Sequence, residues 1–156
     1  MIKYYFNNQL NIEECFDYNC NRRYNTSFHC SKCETIEKNI CEDKKYRPPK
    51  ILVIILDRGK GKSFNGNVSF ENNLDLENYI DEDNYQYNSK YTLIGIITHS
   101  GFGSSSGHYT ACCLTDNGKF YYFSDSYVRE AKEYDIYNND PCLLFYKRLD
   151  SISNPN

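Results

Sequence analysis

Short apolar stretches rich in aromatic and β-branched residues alternate with turn residues along the chain, a pattern typical of antiparallel strands. In the second half it predicts strands at residues 91–98, 109–115, 119–124 and 142–148. In the first half it predicts extended segments near residues 35–44, 51–57 and 68–70, a short helix at 12–18 and a helical turn at 76–80. Strands with a few short helices make an α+β domain, and residues 151–156 are expected to form a disordered tail.

Local signals at three points refine these elements. Asn11 stands where its side chain can cap the N-terminus of the first helix. The aliphatic run at 51–56 predicts a strand that is buried on both faces of a sheet. Gly-Lys-Gly-Lys at 59–62 lacks the spacing and context of a phosphate-binding loop, so it is interpreted as a hairpin tip.

One predicted turn brings His108 close to residues 124–127. Asn117 and Gly118 lie between the last two strands before residue 125, and an Asn-Gly pair tolerates the positive φ that tight hairpin turns require. A hairpin folded here sets His108 opposite residues 124–127, at Cβ separations of roughly 4.5–5.5 Å. The sequence therefore predicts that an imidazole and an acidic segment meet at the open end of a β-hairpin.

The partner of that imidazole stays open between three residues. A slip of one position reverses the face of every side chain, so Ser124, Asp125 and Ser126 are all candidates. A carboxylate would fix the tautomer of His108 and suit it to act as a base, whereas a surface hydrogen-bonded pair is the structural alternative. The preceding loop, residues 100–107, is small and uncharged, as expected of a loop over which an extended peptide passes.

Three ordered stretches together resemble the histidine box of the ubiquitin-specific protease family. They are residues 91–101, the Gly-His-Tyr triplet at 107–109, and residues 120–128. Upstream, residues 10–16, 28–33 and 47–58 follow the family's order, so the likeness covers about residues 8–149.

The resemblance implies a papain-like fold in which residues 1–150 are the C-terminal portion of the catalytic domain. Residues 28–46 would be part of the fingers, and residues 91–149 would form the antiparallel-sheet palm with the histidine box. The N-terminal thumb, which carries the nucleophile in the family, would be missing.

The resemblance also implies thiol chemistry. In the family a cysteine thiolate attacks the carbonyl that joins ubiquitin's C-terminal glycine to a lysine or to the next ubiquitin. His108 would deprotonate the thiol and later protonate the leaving amine. The family usually has Asn or Asp where this chain has Ser124, whose hydroxyl carries no charge to stabilise an imidazolium, so Asp125 is the favoured third member of the triad.

Four further residues would bind substrate by the same resemblance. The Gly-rich loop that includes Gly101 would fold over the ubiquitin tail, with His99 and Gly107 at its two ends. Tyr109 would line the channel that admits Gly-Gly, although it could instead be an aromatic that packs in the core.

The nucleophile has no counterpart in the sequence. The family's Asn-Thr-Cys segment does not occur among the 156 residues. Cys112 and Cys113 follow His108 in the same predicted strand and Cys142 opens an apolar one, so burial is their expected role. Three other cysteines, Cys15, Cys20 and Cys41, have no activating context. We therefore expect the chain alone to be inactive.

Cys30 and Cys33 form a Cys-x-x-Cys knuckle, which is half of a tetrahedral zinc site. The family's fingers often carry two such knuckles, and only one is present here. The remaining candidate ligands are Cys15, Cys20, Cys41 and His29, at spacings that do not form a second knuckle. The expectation is that no cofactor is required and that the zinc site is incomplete.

Composition limits the classes of partner that the protein is expected to bind. A formal charge of −3 gives no basic stripe for nucleic acid. The longest aliphatic run is six residues, whereas a bilayer-spanning helix needs about 20, so no membrane partner is expected. Eight cysteines without an apparent secretion signal indicate a cytoplasmic or nuclear protein. The partners that the resemblance implies are ubiquitin or ubiquitinated proteins, together with the missing N-terminal segment acting in trans.

Two hypotheses of different classes follow. In the first, the chain is the histidine-bearing part of a deubiquitinase that is competent when a nucleophile-bearing segment is joined or docks in trans. In the second, it is a catalytically inactive ubiquitin-binding or scaffolding module.

Overall fold

An antiparallel sheet dominates the described part of the protein. The computed structural model describes residues 9–20, 23–29, 31–34, 36–42, 47–56, 67–80, 87–101, 107–137 and 141–150. Its strands are β1 Gln9–Asn11, β2 Arg23–His29, β3 Ile36–Glu42, β4 Ile51–Ile55, β5 Asn67–Ser69, β6 Asn73–Asp75, β7 Lys90–Ser100, β8 His108–Leu114, β9 Phe120–Ser124, β10 Tyr127–Glu130 and β11 Pro141–Arg148. Its helices are α1 Ile12–Cys20 and α2 Glu133–Tyr137, with a 3-10 turn at Glu77–Tyr79. The α+β class is as predicted.

The central sheet is built around β7. Within the described residues the strand order is β10, β9, β8, β7, β11, β4, and β6 pairs with the first residues of β7. All of these pairings are antiparallel. β2 and β3 form a separate antiparallel ribbon, and β1 pairs with β5 in parallel. The eleven residues of β7 thus connect the strand pair that carries His108 to the rest of the domain.

One face of the central sheet holds the core. Leu93, Ile96, Cys112, Leu144 and Tyr146 are buried on this face and belong to one hydrophobic cluster. Elements from the first half of the chain cover it with further cluster members: Ile12, Phe16, Leu56, Val68, Phe70, Leu74 and Leu76. The two halves of the chain therefore share a single core.

A register shift in β11 explains how β7 fills this core. Phe145 pairs with Gly95, but the next residue, Tyr146, pairs with Leu93. The shift leaves one residue of β7 unmatched and so reverses the alternation of its side chains. As a result, Leu93 and Ile96 both face the core although they are three residues apart.

Buried tyrosines fit the core because their hydroxyls have partners. Tyr91 and Tyr146 have no exposed surface. Tyr91 donates to the carbonyl of Pro49 and Tyr146 to that of Glu71, each at 2.7 Å. Burial raises the pKa of both phenols, so they stay neutral donors and bury a large ring without an unsatisfied polar atom.

The aliphatic run at 51–56 is not buried on both faces, so that prediction is wrong. Among the strands that the structure describes, β4 lies at the edge of the sheet and pairs with β11 alone. Its outward side chains Ile51, Val53 and Ile55 are 45%, 46% and 69% exposed, whereas Leu52 and Ile54 pack against the core. Local hydrophobicity identified the strand correctly, but it carries no information on the strand's position in the sheet.

The predicted cap of the first helix is confirmed. The Oδ1 atom of Asn11 accepts the backbone N–H of Glu14 at 2.7 Å, and the Glu14 carboxylate accepts the Asn11 N–H at 3.0 Å. This reciprocal pair is a capping box, which satisfies two N–H groups at the helix start. It fixes α1 directly after β1, so that Ile12 and Phe16 enter the core.

The predicted hairpin between β8 and β9 is also confirmed. Gly118 has φ 79°, a left-handed conformation that favours glycine. Its N–H donates to the carbonyl of Thr115, and the N–H of Thr115 donates to that of Lys119. β8 and β9 pair from Leu114 opposite Phe120 onward, which sets the register that carries the site.

A buried ion pair joins β10 to α2, two elements that the sequence pattern did not predict. The guanidinium of Arg129 donates to both carboxylate oxygens of Asp135, at 2.6 and 2.7 Å, and the N–H of Lys132 adds a third donor at 2.7 Å. Arg129 also lies over the ring of Tyr122. These donors hold the pKa of Asp135 below its usual range, Arg129 having the largest effect, although burial acts in the opposite direction. The pair secures the strand that follows the turn at residues 125 and 126.

Several predictions fall outside the described residues. These are the hairpin tip at 59–62, Cys30, and the tail at 151–156. The described residues contain no helix that is both long and apolar enough to cross a membrane.

The two faces of β11 should respond differently to the same truncation. Leu144 is fully buried in the core, whereas its neighbour Leu143 projects from the opposite, half-exposed face. We expect Leu144→Ala to lower the free energy of unfolding by about 3 kcal/mol or more, because it leaves a cavity. Leu143→Ala is the matched control and should cost about 1 kcal/mol. Equal losses in urea unfolding would contradict the assignment of the faces.

Stability should depend on pH through Asp135. Because the folded-state pKa of this carboxyl is depressed, its contribution is fully present above the unfolded pKa of about 3.9 and is lost as the pH falls through the folded value. We expect Asp135→Asn to lower the urea midpoint at pH 7 and to flatten the decline of that midpoint below about pH 4. Glu130→Gln, which breaks the exposed pair with Lys119, should change neither. An unchanged acid profile in Asp135→Asn would contradict this role.

Candidate active site

The β8–β9 hairpin brings His108 to Ser124. His108 is the first residue of β8, and Ser124 is the last residue of β9. Their side chains lie on the same face of the sheet, where the Nε2 atom of His108 and the Oγ atom of Ser124 are 2.7 Å apart. This is a direct hydrogen bond, and it engages one of the two ring nitrogens.

Asp125 lies on the other side of the same imidazole. Its Oδ2 atom is 3.9 Å from Nδ1 of His108, a distance for electrostatic attraction but too long for a hydrogen bond. Asp125 and Ser126 form the turn between β9 and β10, and Asp125 has φ 50°, a left-handed conformation that Asp tolerates better than most residues. The side chains of His108 and Asp125 are 47% and 84% exposed, so the pair is open to solvent.

The structure therefore brings together His108, Ser124 and Asp125, the predicted base and its two candidate partners. Ser124 makes the close contact and Asp125 supplies a nearby charge. Because the hydroxyl of Ser124 can donate or accept, the bond is compatible with either tautomer of neutral His108 and with the imidazolium. When Nε2 is engaged in this bond, Nδ1 is the nitrogen that can exchange a proton with an incoming group.

The four predicted substrate-binding residues lie around the start of β8. His99 pairs in register with Tyr109, and their ring centroids are 4.4 Å apart. Gly107 packs against His99, and Gly101 is exposed just after β7 with φ 155°. Tyr109 is 64% exposed, which excludes the alternative that it is a core aromatic.

The cysteines near the site are poor nucleophiles. Burial raises the pKa of the Cys112 thiol to about 11, and it also raises the pKa of the Cys113 thiol. The Sγ atom of Cys112 donates to the carbonyl of Asp135, and that of Cys142 to the carbonyl of Ile97. The raised pKa values disfavour the thiolates of Cys112 and Cys113, which agrees with the structural role expected for these two cysteines.

Cys15 is equally unsuited to attack. It lies on α1 with its side chain in the domain interior. Burial, with a smaller effect from the carboxylates of Glu14 and Glu13, raises the pKa of its thiol. A nucleophilic cysteine needs the opposite environment, one that stabilises the thiolate.

The predicted zinc half-site is only partly described. Cys33 lies exposed in the turn at residues 31–33, and Cys30 is outside the described residues. In the part of the chain that is described, no group of three or more His, Cys, Asp or Glu side chains is arranged to hold a metal ion. Zinc binding by the knuckle stays a prediction.

Known proteins share both this sequence and this fold. Residues 6–146 match the family model described as Ubiquitin carboxyl-terminal hydrolase. Ubiquitin carboxyl-terminal hydrolase 36 of Drosophila mojavensis is 41% identical over 63 residues, which are 40% of this chain and 5% of that protein.

Two solved structures share the fold. A SAGA Ubp8/Sgf11/Sus1/Sgf73 DUB module with a substituted Ubp8 and a truncated Sgf11 matches 94% of this chain and 36% of its own, with a TM-score of 0.71 and 24% identity. The module bound to ubiquitin aldehyde matches 92% of this chain and 36% of its own, with a TM-score of 0.65 and 24% identity. The chain thus spans about a third of the solved chains that it resembles. Because the family model covers most of its length, the chain belongs to the ubiquitin carboxyl-terminal hydrolase family.

Proposed function

We propose that this chain forms the histidine-bearing part of a thiol-dependent deubiquitinase, which cleaves the bond after the C-terminal Gly-Gly of ubiquitin. The observation that carries the proposal is the hydrogen bond between Nε2 of His108 and Ser124. It engages Nε2 and so leaves Nδ1 as the ring nitrogen that can exchange a proton with a thiol. Membership of the ubiquitin carboxyl-terminal hydrolase family supplies the substrate class.

In this mechanism His108 acts first as a base and then as an acid. Its Nδ1 atom first takes the proton of a cysteine thiol, and the resulting thiolate attacks the carbonyl carbon of the terminal ubiquitin glycine. The imidazolium then gives its proton to the leaving amine as the C–N bond breaks. Water, deprotonated by the same ring, then attacks the thioester carbonyl, the C–S bond breaks to regenerate the cysteine thiolate beside the imidazolium, and ubiquitin leaves with a free carboxylate.

Ser124 and Asp125 share the role that a single residue, the third member of the triad, usually has in the family. Ser124, 2.7 Å from Nε2, orients the ring. Asp125, 3.9 Å from Nδ1, stabilises the imidazolium through its charge without fixing the ring itself. This division suits a chain in which the position after the last aromatic of β9 is a serine.

The nucleophile comes from another segment in this proposal. The described thiols near the site, Cys112 and Cys113, have raised pKa values, and Cys15 has one too. The solved chains of this fold are nearly three times as long as the part that this chain matches. A segment that carries a thiol, whether joined to this chain or docked in trans, would complete the site above His108.

The proposed substrate contacts and the proposed compartment also follow from thiol chemistry on ubiquitin. Gly101, Gly107 and Tyr109 would contact the ubiquitin tail, and one module of the same fold has been solved with ubiquitin aldehyde bound. No cofactor is needed for this chemistry, and zinc at the Cys30–Cys33 knuckle would serve structure only. Because the mechanism needs a reduced cysteine thiol, the cytoplasm or nucleus, where thiols stay reduced, is the proposed compartment.

A catalytically inactive ubiquitin-binding module is the second candidate. The observation that favours it is the chemistry of the cysteines, because burial holds the described thiols near the site in their neutral form. Both candidates predict contact with ubiquitin, and they differ in what happens when a thiol is supplied.

Labelling with a ubiquitin probe that carries a thiol-reactive C-terminus separates the two candidates. We expect no labelling of the chain alone, and labelling once an upstream segment with the family's Asn-Thr-Cys motif is joined to it. His108→Ala in that joined protein should slow labelling by about 10²–10⁴-fold, because the base is lost.

Matched variants test the division between Ser124 and Asp125. In the joined protein, Ser124→Ala should slow labelling about tenfold, which corresponds to one hydrogen bond of about 1.4 kcal/mol, and Asp125→Asn should slow it less. Ubiquitin binding without any labelling of the joined protein would favour the inactive module instead.

A further inference from the structure

The side chains of His99 and Tyr109 lie on the sheet face opposite to that of the His108 side chain. Neighbouring residues on a strand project to opposite faces, so the side chain of Tyr109 leaves β8 on the face opposite to that of His108. His99 is the register partner of Tyr109, and its imidazole lies against the tyrosine ring at an interplanar angle of 43°. The two histidines, His99 and His108, therefore occupy opposite faces of the same strand pair.

The imidazole of His99 also fills the space beside Gly107. A Cβ atom built on Gly107 would lie 2.0 Å from Nε2 and 2.4 Å from Cε1 of His99. No real side chain fits at such distances, so only glycine allows this packing. His99 consequently contacts both neighbours of His108 in sequence, the Cα of Gly107 on one side and the ring of Tyr109 on the other.

Among the described strands, β7 gives the backbone at His108 its strand pairing. β8 pairs with β7 as far as Ser100 opposite His108, but its pairing with β9 reaches only Ala111 opposite Phe123. Within the described part of the chain, positions 108 and 109 therefore pair with a neighbouring strand on one side only. Because the His99 side chain packs against both Gly107 and Tyr109, it limits the twisting of β8 at this end of the strand.

We infer that His99 is a positioning residue, which holds the backbone of His108 by filling the gap between Gly107 and Tyr109. The inference deepens the proposed function and rests on it, because His108 matters as a base only there. It differs from a substrate contact in a measurable way: His99 acts on His108 before any ubiquitin arrives.

Nitrogen-15 NMR of the imidazoles tests the inference on the 156-residue chain. The chain has three histidines, so each ring can be followed, and His29 on the separate β2–β3 ribbon is an internal control. In the wild-type chain we expect the Nε2 shift of His108 to be separated from that of His29, because the Ser124 hydroxyl engages Nε2 of His108. His99→Ala should reduce that separation by half or more while His29 stays unchanged. His99→Phe keeps a planar ring in the gap and should retain most of the separation.

A double-mutant cycle adds a test of the contact itself. Gly107→Ala should disturb the His108 signals as strongly as His99→Ala does, because its Cβ displaces the imidazole. In the His99→Ala background the same substitution should add no further change, since the vacated space accepts the methyl group.

Wild-type His108 shifts in the His99→Ala chain would overturn the inference and leave His99 as a substrate contact. Additive effects of the two substitutions would overturn it as well. Neither readout uses ubiquitin or a thiol, so a failure here is distinguishable from a failure of the proposed function. If the variants unfold, the His29 shifts will move too, and the His99→Phe chain, which keeps the packing, then decides the question.

Discussion

The structure depends on the antiparallel register that β8 keeps with its two neighbours. With Ser100 opposite His108 and Ala111 opposite Phe123, the imidazole of His108 and the hydroxyl of Ser124 share one face and meet at 2.7 Å. A slip of one residue would send them to opposite faces. The register is fixed at one end by the glycine turn at Gly118 and along the strand by burial of Cys112 in the core. The register of β8 with β7 and β9 thus determines both the packing of the core and the geometry of the site.

The same register gives the two faces of this strand end different roles. One face carries His108, Ser124 and the core below them, and the other carries His99 and Tyr109. The ion pair between Arg129 and Asp135 secures β10, the strand that leaves the turn containing Asp125. The chemistry therefore lies at an open end of the sheet, where β7 pairs with the start of β8 and the ion pair secures the strand after the Asp125 turn.

The sequence was sufficient wherever the deciding interactions are local. The Asn11 cap and the turn at Gly118 each depend on residues within four positions, and both were predicted correctly. The approach of His108 to residues 124–127 followed from that turn. The choice between Ser124 and Asp125 did not follow, because it depends on where pairing between β8 and β9 ends and on the left-handed backbone at Asp125.

Long-range features escaped prediction for a physical reason. The exposure of β4 depends on its place at the sheet edge, which its own hydrophobicity does not encode. β10 and α2 have four and five residues, too few for a periodic pattern, and they are joined by a contact between Arg129 and Asp135. The parallel pairing of β1 with β5 joins segments that are far apart in the chain. The packing of His99 beside Gly107 is likewise a tertiary contact, which no local pattern in the sequence predicts.

The central claim is that the sheet end around His108 receives the tail of ubiquitin. The most direct measurement is an NMR titration of the isotope-labelled chain with ubiquitin and, in parallel, with ubiquitin that lacks its last two glycines. The account predicts that full-length ubiquitin shifts the signals of Gly101, Gly107, His108 and Ser124, and that the truncated form leaves those signals unchanged. Identical shifts from both forms, or shifts confined to the distant end of the sheet at Lys90 and Arg148, would contradict it.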